Sequence, residues 1–114
     1  MVLPSLVGFR RAADTILPNR IVEAHEALSI GLVTDVVEDE IRQAAALRKA
    51  QSIARGAPKA LAAAKRLLWN GVGLSVEACL PEEARTVSDL SATADSREGL
   101  SAVIERRKPV FTGD

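Results

Sequence analysis

Apolar positions along this chain recur mostly three and four residues apart, the period of helices rather than of strands. Residues 9–17 carry Ala12, Ala13, Ile16 and Leu17 at that spacing, and Pro18-Asn19 breaks the run. Residues 23–30 repeat the pattern through Ala24, Ala27, Leu28 and Ile30, and Gly31 supplies the left-handed residue that ends a helix. The apolar, β-branched stretch 32–37, with Val33, Val36 and Val37, predicts a short strand, and Ile21-Val22 a second extended piece. Asp39 stands where it can cap the next helix, whose Ile41, Ala44, Ala45, Leu47 or Arg48, Ile53 and Ala54 form a broad apolar stripe until Gly56. Pro58 suits the first position of a helix over 58–69, with Leu61, Ala64, Leu67 and Leu68 on one side and Lys59, Lys65 and Arg66 available to face solvent. Asn70, Gly71 and Gly73 end it. Ser75 offers a cap for the following helix, but Pro81 lacks an amide hydrogen, so that helix is expected to start or kink there and run over 81–92. Asp95-Ser96-Arg97-Glu98 has the spacing of a capping box and opens the last helix.

This is a mainly α chain with one or two short strands. Its 114 residues and 47% hydrophobic content suit a single domain, 1–114. Aromatic content is only 3%, so the core must be built from small side chains. At ~25 cal/mol per Å², alanine-rich helices gain little by packing on one another, which favours association with further copies. Fifteen basic and fifteen acidic side chains cancel, arguing against a nucleic-acid or membrane-surface binder, whose attraction needs excess positive charge. No apolar run approaches the ~20 residues that span a bilayer, and the N-terminus lacks the layout of a signal peptide. A cytoplasmic protein is the expectation. Cys79 has no partner for an intrachain disulfide, and His25 is the only histidine, so neither thiol nor metal chemistry is expected.

Few residues offer chemistry. Glu23 and Glu26 are three apart and share a helix face, as a catalytic acid and base would, or as a solvated acidic face does. His25 lies between them and points elsewhere. Arg97, Arg106, Arg107 and Lys108 concentrate positive charge in the last helix. Such cations stabilise a helix C-terminus by ~0.3–1 kcal/mol each, and arginine forks also bind phosphate bidentately.

Three stretches carry a resemblance. Leu3-Pro4-Ser5-Leu6-Val7-Gly8, Glu26-Ala27-Leu28-Ser29-Ile30-Gly31-Leu32-Val33 and Glu98-Gly99-Leu100-Ser101-Ala102-Val103-Ile104-Glu105-Arg106-Arg107-Lys108-Pro109-Val110-Phe111 resemble, in order and spacing, the C-terminal part of the enoyl-CoA hydratase/isomerase, or crotonase, family. The resemblance implies the C-terminal helical region of a crotonase-like (ClpP/crotonase) fold, in which helices pack around a trimer axis. It also implies coenzyme A thioesters as ligands, with the family's basic phosphate contact falling on Arg106. The phenylalanine that accompanies it falls on Val103, a departure that removes an aromatic face. Pro81 and Glu23 are further departures. The family's oxyanion-hole amides and its two water-activating glutamates lie before the stretch matching Leu3-Pro4, so no catalytic residue is expected here. Losing one oxyanion donor alone typically costs ~100 to 1,000-fold in rate. The chain is therefore expected to lack turnover alone and either to complement an N-terminal half or to persist as a non-catalytic oligomerisation module.

Overall fold

Seven α-helices and one 3₁₀ turn account for the regular structure of residues 2–114, which the computed structural model describes. Their contacts cluster into two compact units, Met1–Ala45 and Ala46–Asp114.

In the first unit, α1 (Leu3–Val7) is a helix that the apolar pattern does not predict. Proline is tolerated in a first turn because its missing amide hydrogen would be unbonded there anyway, and the Ser5 hydroxyl donates to the Val2 carbonyl at 2.6 Å. Gly8 at φ +84° ends α1 and turns the chain directly into α2 (Phe9–Ile16). The two helices pack together and bury Val7 and Ala12. Arg20 then ties α2 to α3 (Ala24–Ser29): its guanidinium reaches Asp14 at 3.1 Å and the two oxygens of Glu26 at 2.7 and 2.9 Å.

The predicted strand over 32–37 does not form, nor does the extended piece at Ile21-Val22 pair; no strand occurs among the described residues. A strand is stable only when its amides and carbonyls meet a neighbouring strand. Leu32 and Val33 instead donate their amides back to the Ala27 carbonyl, at 2.8 and 3.3 Å. Asp39 is also not a cap. It opens the 3₁₀ turn Asp39–Ile41 after Glu38, and its carboxylate pairs with Arg42 at 3.0 Å. In α4 (Arg42–Ala54) the predicted stripe is present, yet no residue is buried, and Leu47 and Ile53 are exposed.

The second unit stacks α5 (Pro58–Gly71) on α6 (Val76–Ser91) and α6 on α7 (Ala94–Ile104). Pro81 lies inside α6 rather than at its start. The Ser75 hydroxyl accepts from the Ala78 amide and the Ser75 carbonyl from the Cys79 amide, so helix is established before the proline is reached. The proline then removes one bond, the one to the Glu77 carbonyl. Arg66 does not simply face solvent. Its guanidinium donates to the buried Thr86 hydroxyl at 3.1 Å and lies 3.9 Å from Glu82, linking α5 to α6. The last helix is capped by Thr93, whose hydroxyl accepts from the Ser96 amide at 3.1 Å, and not by the box at 95–98. The two carboxylates of that box are engaged elsewhere.

The exposed surface is 9140 Å². A single folded protein of this mass shows about 6,000 Å², and two separate globules sharing the mass about 7,300 Å². Large apolar side chains contribute to the difference: Phe9, Leu17, Ile21, Leu68, Val103 and Ile104 are each at least three-quarters exposed.

Candidate anion-contact site at the end of the last helix

The last helix ends by a defined set of bonds. The Arg106 amide donates to the Val103 carbonyl and the Arg107 amide to the Ala102 carbonyl, with Arg106 at φ +54° between them. This is the Schellman arrangement, whose left-handed position usually holds glycine. Asn19 (φ 51°) and Gly31 (φ 77°) occupy the same position after α2 and α3, with the same pair of bonds in each case. Asparagine and glycine adopt this backbone readily, whereas arginine has no such preference.

Beyond the turn, residues 107–114 fold back along α7. Glu98 accepts from the Arg107 guanidinium at 2.6 and 2.8 Å and from the Val110 amide at 2.8 Å. Asp95, only 4% exposed, accepts from the Thr112 amide at 2.8 Å and the Gly113 amide at 3.0 Å. Its own amide donates to the Asp114 carbonyl. Asp95 and Glu98 are three residues apart and so face the returning segment together. Phe111 rests over Gly99, and Gly113 lies against Pro58 at the start of α5. Arginine and amide donors together hold the Glu98 carboxyl down at about 2, well below its ordinary 4.5.

These bonds separate the four cations that sequence grouped together. Arg97 donates to the Ala92 carbonyl at 3.1 Å. Arg107 is taken up by Glu98 and by Glu105, 2.6 Å from its Nε, which raise its pKa further. The exposed side chains of Arg106 and Lys108 have no partner among the described residues. Val103, one turn before Arg106, lines an open groove of about 460 Å³ with Val87, Leu90, Leu100 and Phe111, and Lys59 is its only cationic lining residue.

The other singled-out residues do not assemble. Glu23 precedes α3 without capping it through its side chain, and Glu26 is drawn to Arg20, which lowers its pKa. Glu26 is thus an ion-pair member rather than half of an acid–base pair with Glu23, and His25 is exposed beside them. Cys79 is half-buried where α6 meets Gly71 of α5. Among the described residues no three histidine, cysteine, aspartate or glutamate side chains converge as a metal set would, and no helix is long and apolar enough to cross a membrane. Sequence reasoning did not find Arg20 as a tie, nor the engagement of Asp95 and Glu98. Arg107 and Glu98 are nine residues apart, a separation that no helix brings together.

Comparison with known proteins places these features. The family model described as enoyl-CoA hydratase/isomerase matches residues 1–114. The 2,3-dehydroadipyl-CoA hydratase of Escherichia coli (strain K12) is 36% identical over 107 residues, which are 94% of this chain and 42% of that protein. Among solved structures, an enoyl-CoA hydratase from Bacillus anthracis superposes with a TM-score of 0.93 at 34% identity, covering 98% of this chain and 43% of its own. DspI of Pseudomonas aeruginosa gives a TM-score of 0.91 at 38% identity, again over 98% of this chain and 43% of its own. The chain thus spans less than half the length of these relatives, and its helices are those of a C-terminal portion of their fold. It belongs to the enoyl-CoA hydratase/isomerase family.

Proposed function

We propose that this chain supplies the C-terminal helical portion of an enzyme acting on coenzyme A thioesters, and that it has no turnover alone. The observation that carries this reading is the 9140 Å² of exposed surface, well above what either one or two folded globules of this mass would show, in a chain matching 42% of its relative's length. The large apolar side chains left exposed, Phe9, Leu17, Ile21, Leu68, Val103 and Ile104 among them, call for a covering partner. The family's thioester chemistry needs an oxyanion hole and paired carboxylates, and the two carboxylates at this site, Asp95 and Glu98, are bound to backbone amides and to Arg107 instead. Arg106 is the residue we assign to a phosphate of coenzyme A.

The test is to mix or co-express the chain with a polypeptide corresponding to the remaining portion of its relatives, and to follow hydration of an enoyl-CoA by loss of the conjugated-thioester absorbance. No turnover alone and turnover on mixing is the expected result. Turnover by the chain alone overturns the reading. The exposed stripe of α4 supports a second reading, a self-standing oligomeric module, trimeric like the family's helical regions. A stable oligomer that gains no activity with any such partner would favour it.

A further inference from the structure

We infer that Glu98 is a positioning residue for Arg106, acting through Arg107 and the returning segment 107–114; the inference rests on the coenzyme A reading above. Arg106 stands at a backbone position that suits glycine, and its side chain has no partner among the described residues. The backbone on either side therefore sets the Cα–Cβ direction from which its guanidinium reaches out. On the helix side, the two Schellman bonds fix the turn. On the other side, Arg107 is fixed by the two oxygens of Glu98 and one of Glu105. Glu98 also takes the Val110 amide, and Asp95 takes the amides of Thr112 and Gly113. One carboxylate thus has two effects. It holds the backbone that aims Arg106, and it occupies Arg107, which would otherwise compete for the same anion from a different direction. A left-handed arginine is a local cost that persists only when the surroundings over-determine it, and the bonds on both sides do so.

The experiment is a double-mutant cycle read by calorimetric titration with coenzyme A, using the parent chain, Glu98→Gln, Arg106→Ala and the double variant. Glutamine keeps an acceptor for the Val110 amide and removes the charge that holds Arg107. Each single change is expected to weaken binding about tenfold, the scale of one charge-assisted contact. The double variant should bind no more weakly than Arg106→Ala, because the two act as one unit. Glu98→Asp, which keeps the charge, should restore most of the affinity, and an unchanged helical circular-dichroism spectrum for Glu98→Gln is expected because the variant still folds. Amide hydrogen exchange gives a readout free of ligand: Glu98→Gln should speed exchange at Arg107, Thr112 and Gly113, none of whose amides Glu98 bonds. Additive losses, or full affinity in Glu98→Gln, overturn the positioning role while leaving the phosphate contact standing. Unchanged exchange at those three amides overturns it as well. A parent chain that binds no coenzyme A overturns the phosphate reading and this inference with it.

Discussion

Arg106 illustrates a conflict between backbone and side chain that a single substitution can resolve. A left-handed conformation costs an L-residue ~1–2 kcal/mol, and glycine relieves this at the expense of a more flexible unfolded chain. Arg106→Gly should raise stability in urea by about 0.5–1 kcal/mol, whereas Arg106→Ala, with the same backbone strain, should leave it unchanged. Both should lose anion contact. Equal stability for the two variants would remove strain from the account. Glu98 makes a second prediction. Its folded pKa of about 2 lies below the ordinary 4.5, so its tie to Arg107 contributes stability that is present above 4.5 and is lost as pH falls towards 2. The Val110 amide resonance should titrate with a midpoint near 2 and stop doing so in Glu98→Gln. A midpoint near 4.5 would show that the carboxylate is free. The assignment proposed for Arg106 comes only from family resemblance. Its supporting pair was not legible in sequence, because Glu98 and Arg107 meet only after the chain reverses direction.

At the scale of elements, helical period was a sound guide wherever a helix had room to run, as in α2, α3, α4 and α5. It failed at boundaries and where pairing mattered. The apolar stretch at 32–37 has strand composition, but composition cannot supply a neighbouring ladder. The capping box at 95–98 does not form because its carboxylates serve the returning segment, leaving the cap to Thr93. Pro81 is expected to start or kink a helix because its cost inside one is large. Here the cap at Ser75 lies far enough upstream for the helix to run through it. Pro81→Ala should therefore stabilise the chain by ~1–3 kcal/mol, since it restores an amide to the Glu77 carbonyl and removes the ring clash. Urea unfolding measures this directly. A destabilised variant would mean that the proline ring packs usefully against a neighbour.

For the whole molecule, composition pointed the right way but understated the case. Low aromatic content predicted a weak core, and the buried apolar side chains among the described residues are Val7 and three alanines, Ala12, Ala27 and Ala102. Such a chain should gain hydrophobic stabilisation by covering its surface with something else. Sedimentation is expected to show association that grows with concentration, and an apolar dye should bind at concentrations where the chain is least associated. A monomer at every concentration that binds no dye would contradict this.

Besides the contact of Phe111 with Gly99, the returning segment is held by two carboxylates, and the two common denaturants should disagree about it. Guanidinium presents to Glu98 and Asp95 the same planar donors that arginine does, and its salt screens the remaining attraction. Urea is uncharged and does neither. In guanidinium chloride the segment 107–114 should therefore detach before the helices melt, giving two transitions where urea gives one.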